Sequence, residues 1–351
     1  MTAGTAAGAA DIRFVTGKVR RYLADLLAAE QTSWKEHGAP WWDAPQALAS
    51  YVDGGKALRP RFCYWGHALT GHRPGSRLVR ACAALELLHA FALIHDDIMD
   101  RSDTRRGVPA LHRQFAGQHR QHGWAGDSGT YGDAVAILTG DLAFALANRL
   151  IGTLPGRDRQ VWAGMVQELT AGQFLDLTGA ARQDRSAEVA RTIAVLKSGR
   201  YTVTGPLRFG AALAGQTELP KALARYGDLV GEAFQLRDDL LGVFGDPRRT
   251  GKPVGEDLRS GKATQLLACA ATLLPPVYRP LLARAGSAML TDADVAELTD
   301  ALATCGARER IERRIARNVG TACALVRETA PPAPAAAALC RMATTATSRP
   351  G

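Results

Sequence analysis

Three aspartates, Asp96, Asp97 and Asp100, close a long apolar run that begins near Ser76. The run has helical spacing, and residues three and four apart share a helix face. Asp96 and Asp100 therefore form a pair, with Asp97 beside them. Carboxylates do not cluster in an apolar interior without a counter-charge. The cluster must face solvent or hold metal. Two arginines, Arg105 and Arg106, follow within a few residues. Carboxylates and arginines beside an apolar helix suit a ligand that is anionic, metal-chelated and greasy at one end.

A second acidic pair, Asp238 and Asp239, ends another apolar helical run, Leu219–Val243, with Gln235 one turn before it. Two such helices can face each other across a bundle. The rest of the chain agrees with this. Alanine, leucine and arginine dominate, which favours helix. Hydrophobic residues make up 46% of the 351 positions, enough for a sizeable core. No run of strands and no 20–50-residue repeat is evident. The expectation is an all-α fold, a single large bundle of roughly ten or more helices around a central apolar cavity. Further helices are expected at Ala10–Ala29, Gln46–Val52, Ser76–Met99, Asp133–Ile151, Arg159–Ala180 and Ser186–Leu196, and onward to about Ala330. Residues 1–9 are Ala/Gly/Thr and expected to be disordered, 10–330 to form the domain, and 331–351 to be a flexible tail. Residues 101–131 read as an irregular basic loop. Its histidines, His112, His119 and His122, lack the spacing of common zinc sites.

The net charge is +9. The arginines are spread along the chain and not interleaved with aromatics, which disfavours a nucleic-acid partner. An anionic small molecule needs only a local basic pocket. Six cysteines without a CxxC read as reduced thiols of the cytosol. The first residues lack the pattern of a signal peptide. No stretch of about 18 apolar residues is seen, so no stable membrane insertion is expected. A cytoplasmic protein follows.

Basic groups recur near the acidic helices. Lys56, Arg59 and Arg61 open a helix after Gly54 and Gly55. A helix N-terminus favours anions, so three cations there mark either a bound polyanion or a solvated basic turn. His89 lies two turns before Asp96, on a similar face. Gln173 and Asp176 share a face of a third helix. Lys197-Ser-Gly-Arg-Tyr201 is a polar break between helices. The stretch from Gly245 to Lys262 has a superficial likeness to a P-loop. Pro253 follows the lysine, however, and a helix precedes the loop where a P-loop requires a strand. It reads instead as a loop bringing Lys252 and Lys262 over a phosphate. Mg²⁺ takes carboxylates, waters and phosphate oxygens together, so two facing acidic sets can clamp one diphosphate. Apolar helices would then keep water from an allylic cation. A prenyl diphosphate fits these demands.

These residues resemble the trans-isoprenyl diphosphate synthases, or polyprenyl synthetases. The likeness runs from Gly54 to Lys262 through six motifs in order. They are Gly-Lys-x-x-Arg (Gly55, Lys56, Arg59), His-Asp-Asp-x-x-Asp with Arg-Arg-Gly, and Gly-Gln-x-x-Asp (Gly172, Gln173, Asp176). Lys197 with Tyr201, Phe-Gln-x-x-Asp-Asp (Phe234 to Asp239), and Thr-Gly-Lys-Pro with a later Gly-Lys complete the set. The resemblance implies that Asp96 and Asp100, with Asp97 in support, hold two Mg²⁺ ions. Asp238, with Asp239 beside it, would hold a third. Arg105, Lys197, Lys252 and Lys262 would grip the allylic diphosphate. Lys56, Arg59, His89 and Arg106 would bind isopentenyl diphosphate. Gln173, Asp176 and Gln235 would order water and the reacting centre, with Tyr201 alongside. A homodimer is implied as well. One position departs from the pattern: Gly242 stands where many relatives carry a third aspartate, leaving Asp246 or Asp257 as substitutes that the sequence does not place.

Chain growth would run down the helix that bears Asp96, past Ala92, Phe91 and Leu88. Phe91 forms a floor about 7 Å down at 1.5 Å rise per residue. In the resembling family one aromatic at that position goes with geranylgeranyl diphosphate. The alternatives are a farnesyl or longer-chain synthase, a class I terpene cyclase and a non-catalytic partner subunit. A cyclase would have no use for the second basic set.

Overall fold

The apolar runs become helices packed around one of their number. The computed structural model describes residues 3–36, 43–52, 55–246, 254–329 and 333–348. Lys252 thus lies outside the described residues. The chain begins with α1 (Ala3–Lys35), α2 (Asp43–Val52), α3 (Leu58–Ala68) and α4 (Ser76–Met99). A two-residue hairpin pairs β1 (Thr104–Arg105) with β2 (Val108–Pro109). Then come α5 (Leu111–Gln121), α6 (Ser128–Gly152), α7 (Gly156–Ala181) and α8 (Ala187–Ile193). The last of these runs on as a π-helix, Ala194–Thr204, into α9 (Gly205–Leu213). α10 (Lys221–Phe244) carries the second acidic pair. α11 (Glu256–Ser260), α12 (Gln265–Leu273), α13 (Arg279–Ala283), α14 (Asp292–Thr304), α15 (Ala307–Glu328) and α16 (Ala333–Thr347) complete the chain. The fold is all-α, as expected.

Residues 78–94 of α4 are apolar on almost every side, and such a helix must be surrounded. Leu78, Ala81, Cys82, Ala83, Ala84, Leu85, Leu87 and Leu88 are buried against α1, α3 and α6. The principal core joins these helices to α7, α9 and one face of α10. A second core lies behind α10. Leu236, Leu240 and Val243 meet Leu266, Leu267, Leu298, Leu302 and Ile311 there. α10 separates the two, so its aspartates are anchored from both sides.

Several expectations change. The 101–131 segment is not a loop: α5 occupies its middle. His112 and His119 are buried there, and His119 Nε2 lies 3.1 Å from the Ala125 carbonyl. The helical spacing of Leu111, Phe115 and Ala116 was diluted by surrounding polar residues. α1 begins at Ala3, not near residue 10, in line with its alanine content. The final segment is no loose tail. In α16, Leu339, Ala343 and Ala346 are buried, and the Tyr226 hydroxyl donates to the Leu339 carbonyl at 2.8 Å. Arg237 closes its end, donating from Nε to the Thr347 carbonyl at 2.7 Å. Alanine-rich composition hid a packing face. α4 and α6 are also long and apolar enough to cross a membrane by length and composition, where none was expected. Both pack into the bundle. All six cysteines are free.

Because Leu339 is fully buried, Leu339→Ala is expected to lower stability by about 2–4 kcal/mol. Chemical denaturation of the two proteins checks it; an unchanged midpoint would return α16 to the status of a tail.

Candidate active site

The end of α4 sets the geometry of the first acidic motif. Arg101 adopts a left-handed conformation, φ +52°. The Ser102 N–H then reaches the Asp97 carbonyl at 2.8 Å, and the Arg101 N–H reaches the Ile98 carbonyl at 3.1 Å. This paired closure ends the helix and turns the chain back. The hairpin follows at once. Its two-residue turn, Arg106–Gly107, has φ values of +54° and +79°. Positive φ at both positions matches the twist of the flanking strands. The Arg-Arg-Gly motif is thus a turn that returns two guanidiniums to the helix end.

Asp97, expected to support a metal, does something else. It is 1% exposed and turned away from the cavity. Arg105 grips it, with Nε at 2.9 Å from Oδ1 and an Nη2 contact besides. The Tyr51 hydroxyl donates to its other oxygen at 3.2 Å and accepts from the Leu111 N–H at 3.1 Å. Burial and the neighbouring Asp97 push the Tyr51 phenol up to about 12. Asp97 therefore positions Arg105, whose guanidinium is held above its ordinary value by that partner despite burial.

Asp96 and Asp100 meet two half-buried lysines. Lys197 Nζ donates to Asp96 at 2.9 Å and to Asp176 at 2.6 Å. Lys262 Nζ donates to Asp100 at 2.6 Å. Gln173 Nε2 reaches Asp96 at 3.2 Å. Burial alone would raise the Asp96 carboxyl, yet Lys197, Lys262 and Arg105 hold it well below the usual range. Burial likewise opposes both ammonium groups, and the carboxylates still hold them above their usual values.

Lys197 sits in the π-helix rather than at a break. A π turn is a frequent device at functional sites. Here glycines permit it. A Cβ on Gly172 of α7 would collide with the Lys197 backbone, and one on Gly231 of α10 would collide with Gly199. The wide turn is wedged between two neighbours, which fixes Lys197 over Asp96.

The second motif divides in the same way as the first. Asp238 lines the cavity. Asp239 is buried, accepting from Gln235 Nε2 at 2.7 Å and from the Gln265 N–H at 3.1 Å. Burial, then the charges of Asp257 and Asp238, push its carboxyl up to about 8 despite those two bonds. Gln235 is held by Asp239 and Ser198, outside the cavity lining. Gly242 cannot ligate, but a Cβ there would overlap the Asp257 carboxylate. The space a third side chain would enter is already filled by an acid from α11.

One cavity of about 450 Å³ joins these groups. One part is lined by Asp96, Arg105, Lys197 and Asp238. Another is lined by Lys56, Arg59, His89 and Arg106. In the basic part, Arg59 Nη2 donates to Thr202 at 3.0 Å, and the guanidinium lies 4.1 Å over the Tyr201 ring. Arg59 Nε, His89 Nδ1 and the Tyr201 hydroxyl are buried without hydrogen-bond partners. Buried orphans of this kind point to a ligand. Burial pushes His89 well below its ordinary value, with Arg59 and Arg106 adding to the effect. Ala57 and Arg106, both at positive φ, flank this part. Glu86, Tyr51, Ser198 and Thr202 also line the cavity and were not picked out as site residues. Glu86, one helical turn before His89, carried a findable signal. Of the chain-length set only Ala92 lines the cavity; Leu88 is core, and Phe91 stacks on Phe144 of α6, 4.9 Å between centroids.

An all-α bundle with two acidic helix ends facing one cavity defines a class, the isoprenoid synthase fold. Residues 44–302 match the family model for polyprenyl synthetase, and the chain belongs to that family. A solved geranylgeranyl pyrophosphate synthase from Corynebacterium glutamicum, complexed with isoprenyl diphosphate and magnesium, superposes with a TM-score of 0.90. It is 37% identical, with 97% of this chain and 100% of that chain covered. A geranylfarnesyl diphosphate synthase of Aeropyrum pernix is 36% identical over 61% of this chain. A (2E,6E)-farnesyl diphosphate synthase of Mycobacterium tuberculosis is 36% identical over 60% of this chain. The matches span 65% and 55% of those two proteins, less than two thirds of either.

Proposed function

We propose that this chain condenses isopentenyl diphosphate with an allylic diphosphate, with Mg²⁺ bound at the acidic part of the cavity. The observation that carries this reading is one cavity with two polar parts: Asp96, Asp238 and Lys197 line the first, and Lys56, Arg59, His89 and Arg106, with a single acid, Glu86, line the second, where donors are orphaned. Two diphosphates in different charge environments fit it. The basic part also disfavours a terpene cyclase, which binds one diphosphate only.

The residues suit the ion. Asp96, Asp100 and Asp238 are hard oxygen donors, and burial together with the neighbouring Asp257 and Asp238 pushes the Asp239 carboxyl up to about 8, which a bound cation would relieve. Asp96, Asp100 and Asp238 would hold Mg²⁺, three ions in the family pattern, and bound Mg²⁺ would draw charge from the allylic diphosphate leaving group. Asp257 stands in for the third aspartate missing at 242. Arg105, Lys197 and Lys262, with Lys252, grip that diphosphate. Lys56, Arg59, His89 and Arg106 hold isopentenyl diphosphate so that its double bond faces the allylic carbon. His89, held well below its ordinary value by burial and by Arg59 and Arg106, offers an unpartnered Nδ1 there. The C–O bond breaks, the alkene attacks the allylic cation, and one proton leaves to the released diphosphate. Leu93, Leu169 and Phe234 keep water out.

The product is geranylgeranyl diphosphate. Phe91 supports this although it lies outside the cavity lining: next to Ala92 on α4, stacked on Phe144 and with its ring centroid 4.5 Å from that of His95, it is held where a lengthening chain that passes Ala92 would meet it. The chain works as a homodimer. α6 and α7 leave Leu138 and Phe174 exposed, at 64% and 68%, with Leu177 beside them. An apolar patch of that kind suits a second copy.

Incubation with Mg²⁺, isopentenyl diphosphate and farnesyl diphosphate should yield a twenty-carbon product, and Phe91→Ala should lengthen it. Product analysis that finds unchanged length in the variant would remove Phe91 from that role. A cyclic hydrocarbon from geranylgeranyl diphosphate alone would favour the cyclase. Asp257→Ala should cut kcat by roughly 10–100-fold, the usual cost of losing a metal-supporting group; full activity would show that Asp238 suffices. Light scattering should give twice the chain mass, and Leu138→Glu should return it to one.

A further inference from the structure

Behind α10, on the side of the second core, lies another cavity of about 730 Å³, walled by α12, α15 and the start of α8. Drug-sized ligands occupy cavities of this scale. Arg310, Arg313, Arg314 and Arg317 line it from one face of α15. Their spacing of three and four puts like charges side by side, which destabilises a bare helix. No carboxylate is among the lining residues. Arg314 is neutralised by buried Glu232, at 2.5 Å. Arg310, Arg313 and Arg317 make no ion pair among the described residues.

Two further donors are unmet. Gln265, 5% exposed, lines the cavity, and its Nε2 is buried without a partner. Arg314 Nε is in the same state. A buried amide donor facing a cluster of guanidiniums lacks an acceptor, and an anion supplies several. Guanidinium forks match phosphate oxygens in pairs. Apolar surface flanks the arginines, from Ala268 and Cys269 of α12 across the cavity and from Ile311 on α15 itself.

We propose that this cavity is a second binding site for a diphosphate group, either free or as the ester of an apolar chain. It requires no metal, because arginines supply the counter-charge. It is separate from the first cavity, and its lining shares no residue with it. One contact links the two. Gln265 lines the arginine cavity with its side chain, and its N–H holds Asp239, the neighbour of Asp238. An occupant would therefore touch the residue that steadies the second acidic motif. A recess of this size suits a compact ligand and not a nucleic-acid strand, which needs an extended basic track.

The test is equilibrium dialysis of radiolabelled inorganic diphosphate against the full chain with Mg²⁺. The variant R310A/R313A/R317A alters only exposed side chains outside the catalytic cavity. It should bind one diphosphate fewer per chain, or bind it at least about tenfold more weakly, as lost charge-assisted bonds imply, while its kcat for prenyl transfer stays unchanged. Thr272→Glu, which adds a carboxylate at the exposed rim without removing an arginine, should have the same effect. Equal stoichiometry and affinity in wild type and both variants would overturn the proposal. A parallel arm with a saturated fifteen-carbon alkyl diphosphate separates the two sources. Tighter binding than the inorganic ion at this site assigns the ester; equal binding assigns the free anion. A chain without prenyl transfer would still report the difference in count, so this result stands apart from the proposed reaction.

Discussion

The site rests on the neutralisation of carboxylates by half-buried lysines. Asp96, Asp100 and Asp176 stand close together at the ends of two helices, and burial raises the cost of each charge. Lys197 bridges Asp96 and Asp176, and Lys262 closes on Asp100. Neither lysine is on the acidic helix. One comes from the π turn and the other from the segment between α11 and α12. The bundle must therefore be assembled correctly before the acids can remain ionised. Assembly in turn depends on backbone approaches that only glycine allows, Gly172 against Lys197 and Gly231 against Gly199. Charge balance and helix packing are one constraint.

In each acidic motif the two adjacent aspartates take different parts. Asp96 and Asp238 line the cavity. Asp97 and Asp239 point into protein, where one orients Arg105 and the other orders Gln235 and the start of α12. A helix turns by about 100° per residue, so the two adjacent aspartates are directed to different surroundings. The inner aspartate serves as the support of the outer one's surroundings. The same economy governs Arg105 and Arg106. Adjacent in sequence, they diverge at a turn of two left-handed residues, and one guanidinium goes to the acidic part while the other lines the basic part.

Much of this was legible in the sequence. The acidic helix ends and the basic opening of α3 converge on one cavity, and the Gly-Gln-x-x-Asp side chains stand just behind it against Asp96 and Lys197, because local helical periodicity fixes which side chains share a face. What stayed hidden depends on contacts between elements. Periodicity could not separate Asp96 from Asp97, since both lie near the same seam and only Tyr51 and Arg105, brought from elsewhere, decide the matter. The polar run at Lys197 looked like a break because its glycine and serine are poor helix formers; tertiary packing widened the helix there without ending it. α16 looked like a tail because alanine and proline carry little signal, yet Leu339 and Tyr226 bind it to α10.

Gly242 carries the same lesson in reverse. Within its own motif it is a defect, a missing ligand in an acidic pattern. In three dimensions it is a vacancy of one side chain, and the Asp257 carboxylate enters it from α11. The Asp257 carboxylate thus stands beside the second motif although it comes from another helix. An aspartate at 242 would have to displace the Asp257 carboxylate. Glycine at 242 and aspartate at 257 are best understood as one unit, in which absence of a Cβ on one helix is the condition for a carboxylate from another.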